Sequence, residues 1–117
     1  MKEGVKLHYI FETEDFKTSN NPYILKFIKQ IDLNYINCFK EYEFIYEENN
    51  EIKHGFIDLM LEYDKYINII DYKMKNITDE AYLKQLSGYK KYIESISKKK
   101  VNIYLYSILD EKLESLN

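Results

Sequence analysis

The sequence contains no arginine: all 17 basic side chains are lysine, set against 20 acidic ones, and the formal net charge is −3. A chain of that charge is not an electrostatic nucleic-acid binder over its whole surface, so any such binding is local. Tryptophan is absent as well. The single cysteine, Cys38, excludes an internal disulfide and a cysteine-based zinc site, and reads as a packing residue. One proline (Pro22) and three glycines (Gly4, Gly55, Gly88) are too few for a loop-rich fold. The three scattered glycines cannot build a G-x-x-x-x-G-K-[ST] phosphate loop, so ATP-driven motor chemistry is excluded. There is no apolar run near the length of a membrane span and no signal-peptide pattern. No membrane association and a cytoplasmic location are therefore expected.

What is present fits one compact domain of 117 residues, with 45% hydrophobic side chains to form a core. Residues 3–12 carry Leu7, Ile10 and Phe11 at helical spacing. Ser19 to Asn21 offer caps and Pro22 a first turn for a second helix striped by Ile24, Phe27, Ile28 and Ile31. Three strands are expected next, over 41–47, 52–63 and 66–73. Tyr42, Phe44 and Tyr46 share one face of the first. Thr78 and Asp79 are placed to cap a long helix over 79–97, striped by Tyr82, Leu86, Tyr89, Ile93 and Ile96. A last strand over 101–109 turns Val101, Ile103 and Leu105 one way and Tyr104 and Tyr106 the other. The order α-α-β-β-β-α-β predicts an α/β fold with a mixed sheet, a meander followed by helix and strand.

The segment Ile69-Ile70-Asp71-Tyr72-Lys73 ends an apolar strand with two charges on one face, because residues i and i+2 of a strand point the same way. If Asp64-Lys65 form a two-residue hairpin turn, Asp58 stands directly opposite Asp71, with β-carbons roughly 4.5–5.5 Å apart. Two readings fit this arrangement. In one, a solvent-facing sheet carries a salt bridge. In the other, the crowded carboxylates hold a divalent cation such as Mg²⁺, and Lys73 beside them stabilises charge during phosphodiester hydrolysis. His8, a lone histidine near the N-terminus, reads as an exposed or satisfied histidine, though a neutral imidazole is chemically able to ligate a metal. Gln85 and Tyr89 share a helix face, as an acting pair or as a core tyrosine with a flanking amide. Lys90, Lys91 and Lys98–Lys100 read as phosphate contacts or as a solvated helix end.

Asp58 followed by Asp71-Tyr72-Lys73 has the Asp…Asp-x-Lys form of the PD-(D/E)XK nuclease superfamily. The stretch "GFIDLMLEYDKYINIIDYK" resembles the core of the RecB and AddA nuclease domains. "YLKQLSGY" resembles their Q-x-x-x-Y signature at Gln85 and Tyr89. "GVKLHYIFE" is similar to their Gly-x-x-x-His segment at Gly4 and His8. "EYEFIYE" sits where they carry an acidic-start strand, at Glu43, and "NIYLYSIL" resembles their closing strand. Met74 departs from the small hydroxyl residue often found after the lysine.

That resemblance implies a restriction-endonuclease-like core and a Mg²⁺-dependent exonuclease, with Mn²⁺ as a substitute. His8, Asp58, Asp71 and the Tyr72 carbonyl would be metal ligands, Lys73 the catalytic lysine, and Gln85 and Tyr89 supports that touch DNA. Glu43 would sit behind the ligands. Residues 1–117 would form a single domain excised from an AddAB- or RecBCD-type helicase–nuclease acting in double-strand-break repair and recombination. Its partners would be DNA, helicase domains and a second subunit. A small stand-alone nuclease is the next reading. A catalytically silent module that binds DNA or a subunit is the alternative from another class.

Overall fold

The computed structural model describes residues 3–74 and 80–117. Among these the chain forms α1 (Glu3–Thr13), α2 (Pro22–Ile28), β1 (Asn37–Glu48), β2 (Glu51–Glu62), β3 (Tyr66–Lys73), α3 (Glu80–Ser97), β4 (Lys100–Ser107) and β5 (Lys112–Ser115). The fold is mixed α/β. Its five strands lie in the order β1-β2-β3-β4-β5 and are antiparallel except for β3 and β4. Those two are parallel because the connection through α3 returns the chain to the starting end of the sheet.

Local chemistry sets the element ends. Asn21 caps α2 by accepting a hydrogen bond from Tyr23 N at 2.9 Å, and Pro22 takes the first turn. Asn49 and Asn50 both have positive φ, which closes the β1–β2 hairpin. The Tyr63 amide donates to the Tyr66 carbonyl at 2.8 Å around Asp64-Lys65.

Three sequence expectations need correction. The chain does not end on β4: Leu113 and its neighbours add β5 along that strand's free edge. Ile31 lies beyond α2, which stops at Ile28. Ile96 is exposed, so the buried stripe of α3 is Leu86, Tyr89 and Ile93. The expected caps Thr78 and Asp79 lie outside the described residues.

The sheet separates two cores. On one side α1 and α2 bring Leu7, Phe11 and Phe27 against Leu59, Ile70, Tyr72 and Tyr106. On the other, α3 covers Phe44, Ile57, Ile69 and Ile103. Strict alternation holds along β3 and β4 but breaks in the long hairpin. Ile57 and Leu59 are two residues apart, yet Ile57 packs under α3 and Leu59 under α1 and α2. On β1, Lys40 lies over the Phe16 ring at 4.1 Å, while Tyr42 packs on the α3 side. Both strands thus change face at the Glu41–Asp58 step, flanked by the pairs Lys40–Leu59 and Tyr42–Ile57. Glu41 has φ 52°, an uncommon value for a non-glycine residue, and it turns the strand there.

Beyond the switch the hairpin curls over α3. Phe44 lies across β2 at Gly55, where a β-carbon would fall inside its ring. The same ring stacks on Tyr92 with centroids 5.1 Å apart and meets Tyr89 edge-on.

Candidate active site

The β2–β3 ladder ends at Leu59–Ile70, and Asp58 and Asp71 are the next residues along each strand. This is the register expected from a two-residue turn at Asp64-Lys65. β3 stays paired with β4 through Lys73–Ser107, so its far side is held while its β2 side is open. In that opening Asp58 Oδ2 accepts a hydrogen bond from the Tyr72 amide at 2.9 Å. The Tyr72 carbonyl points the same way. Adjacent carbonyls of a strand alternate in direction, and that of Lys73 is taken on the β4 side by Ile108 N at 2.7 Å.

Burial pushes the Asp58 carboxyl well above the usual carboxylate range, and the charge of Asp71 and a hydrogen bond to it push the same way. Two carboxyls at one step of a sheet cannot both ionise cheaply, and the proton affinity of Asp58 is raised accordingly. Asp71 gathers the compensating groups. The Tyr82 hydroxyl donates to its Oδ2. The Lys73 ammonium is 3.5 Å from the same oxygen and 4.6 Å above the Tyr82 ring. Burial, then the bond to Asp71, hold Tyr82 firmly protonated. Lys73 is 39% exposed and Asp71 15%, so the ammonium sits at the solvent side of the carboxylate.

A third acid enters from β1. The face switch turns Glu41 toward the pair, and its Oε2 is buried without a hydrogen-bond partner. Burial, then the charges of Glu12 and Asp71, raise its pKa. Glu12 lies on α1, one turn after His8. The His8 ring meets Tyr72 edge-on at 5.8 Å, so α1 borders the site and the ring's contact is aromatic. Among the described residues no group of three or more His, Cys, Asp and Glu side chains is disposed around one cation position.

The other expected residues are dispersed. Tyr89 is buried in the aromatic cluster with Phe44 and Tyr46. Gln85 is exposed on the flank of α3 facing the hairpin. The α3 side chain that reaches the carboxylates is Tyr82, which the stripe marks only as a core position. Glu43 lies on the outer face of the hairpin, 3.1 Å from His54. The acid that β1 brings to the site is Glu41, two residues earlier. Cys38 packs against the α1–α2 core, as expected of it.

The residues present fit a divalent cation in one respect. Glu41 Oε2, buried without a hydrogen-bond partner, is a place where positive charge is short. No helix among the described residues is long and apolar enough to cross a membrane. No protein-family model matches the chain, and no curated protein matches it.

Proposed function

We propose that the chain is a Mg²⁺-dependent DNA nuclease domain with a restriction-endonuclease-like core, of the RecB and AddA kind. One observation carries the reading: Asp58 and Asp71 face each other at the open end of the β2–β3 ladder, with Lys73 on the same face. Asp58, Asp71 and the Tyr72 carbonyl would hold the cation, with Glu41 at hand and His8 assigned by resemblance alone. When bound, the ion polarises a phosphate and acidifies water. The chain's own residues do the rest. Lys73 places a positive charge where negative charge develops. Tyr82 fixes the orientation of Asp71 by donating to one oxygen. The β4 pairing keeps the Asp71-Tyr72-Lys73 backbone rigid. In this reading the domain is the exonuclease part of an AddAB- or RecBCD-type helicase–nuclease, cytoplasmic, and fed DNA by its helicase partners.

One observation favours the second reading, a silent DNA- or subunit-binding module. Asp71 already has Tyr82 and Lys73 as partners, and Asp58 accepts from the Tyr72 amide, so both carboxyls have protein partners without a metal. Calorimetric titration with Mn²⁺ separates the two. The nuclease reading expects binding that Asp71→Ala abolishes; no binding, or binding indifferent to that change, favours the silent module.

A further inference from the structure

Between the tip of the β1–β2 hairpin and α3 runs a cleft of about 510 Å³, within the size range of ligand sites. Its α3 wall is a stripe at helical spacing, Ala81, Lys84, Gln85 and Gly88, continued by Lys91 in the adjoining cleft. Lys53 comes from the hairpin. In a chain of net charge −3, Lys53 and Lys84 line this cleft, and Lys84 and Lys91 line the adjoining one. The groove's Ala81 end lies one residue from Tyr82, whose hydroxyl is bonded to Asp71.

Among the described residues, Glu48 is the carboxylate that lines both clefts. Glu48 bonds Lys53 at 2.9 Å. That bond, then the charges of Lys53, Lys91 and Lys84, hold it below the usual carboxylate range. Gly88 faces it: a β-carbon there would make only ordinary contact with Glu48 Oε2, at 3.4 Å. An anion lying among three lysines against a bare stretch of helix has the surroundings of a bound phosphate.

Resting on the nuclease reading, we infer that this cleft carries the phosphate backbone of a single DNA strand along α3 toward Asp58 and Asp71, and that Glu48 is a built-in competitor which a phosphate must displace. One strand is specified because the cleft is walled on both sides, by hairpin and helix, and a duplex presents its phosphates on a convex surface.

The test is fluorescence anisotropy of a labelled single-stranded oligothymidylate on the whole chain, in EDTA and over a range of NaCl, where no cleavage intervenes. Glu48→Gln should tighten binding roughly threefold to tenfold. Lys84→Ala and Lys91→Ala should each weaken it and lower the slope of log K against log salt by about 0.7, the share of one single-strand phosphate contact. Circular dichroism melts confirm that each variant folds. Binding unchanged by Glu48→Gln, or a slope unchanged by both lysine variants, would overturn the inference. So would equal or tighter binding of a duplex. Lysine-dependent binding without metal-dependent cleavage would support the cleft while removing the nuclease reading. Cleavage with no dependence on these lysines would do the reverse.

Discussion

Asp58 and Asp71 meet one step beyond the last ladder pair of β2 and β3, where the Tyr72 amide donates to Asp58 and the Tyr82 hydroxyl donates to Asp71. The consequences of that meeting can be measured without knowing the substrate.

The first is a pH dependence. Asp58 has a higher proton affinity folded than unfolded. Folding therefore takes up a proton, and stability falls as pH rises. The contribution is fully present below the unfolded carboxylate pKa of about 4 and is lost as pH climbs to the raised folded value. In EDTA, thermal midpoints of the wild type should fall across that window relative to Asp58→Asn, which has no such proton to lose. Parallel profiles for the two proteins would contradict the raised proton affinity of Asp58.

Tyr82→Phe removes the hydroxyl bonded to Asp71 and keeps the ring beneath Lys73. Urea denaturation should show a loss of about 1 kcal/mol. Mn²⁺ affinity should drop by roughly tenfold, the usual effect of losing a group that orients a ligand. Unaltered metal affinity would mean that Tyr82 supports only the fold.

Glu41→Gln neutralises a carboxyl that is short of partners and crowded by Glu12 and Asp71. The metal-free protein should become more stable, because a group poorly accommodated as an anion no longer titrates. Metal affinity should fall by about tenfold if Glu41 shares in holding the cation. Thermal melts with and without Mn²⁺ report both signs in one experiment. A less stable metal-free variant would show that the unpartnered oxygen is not a liability.

Gly55→Ala forces a methyl group into the space of the Phe44 ring, which is pinned by Tyr92 and Tyr89. Overpacking of this kind costs about 1–3 kcal/mol in urea denaturation. Combining it with Phe44→Leu should recover part of the loss, since the two positions share one volume. Simple additivity would show that the glycine serves another purpose.

Much of this geometry is legible in the sequence. Two-residue alternation puts Asp71 and Lys73 on one face and Tyr72 on the other, and the hairpin turn at Asp64-Lys65 sets Asp58 opposite Asp71. Period and turn chemistry determine such pairs locally. Glu41 is not legible, because its position depends on a positive φ in mid-strand that reverses the faces of two strands at once. By plain alternation the acids of β1 look equivalent, and Glu43 is as good a candidate. Tyr82 is hidden for another reason. Its helical spacing marks it as core, and only the tertiary approach of α3 to the end of β3 turns its hydroxyl onto a carboxylate. β5 is missed because four residues against one edge leave too short a pattern to distinguish from a loop.

The most direct test of the central claim is cleavage of a labelled linear DNA by the purified chain with Mg²⁺ or Mn²⁺, alongside Lys73→Ala and Asp71→Asn proteins verified as folded. The wild type should cleave in a metal-dependent way, each variant should lose at least a hundredfold, and none should cleave in EDTA. Cleavage that survives Lys73→Ala, or a wild type that binds Mn²⁺ at Asp71 yet cuts no DNA, would contradict that claim.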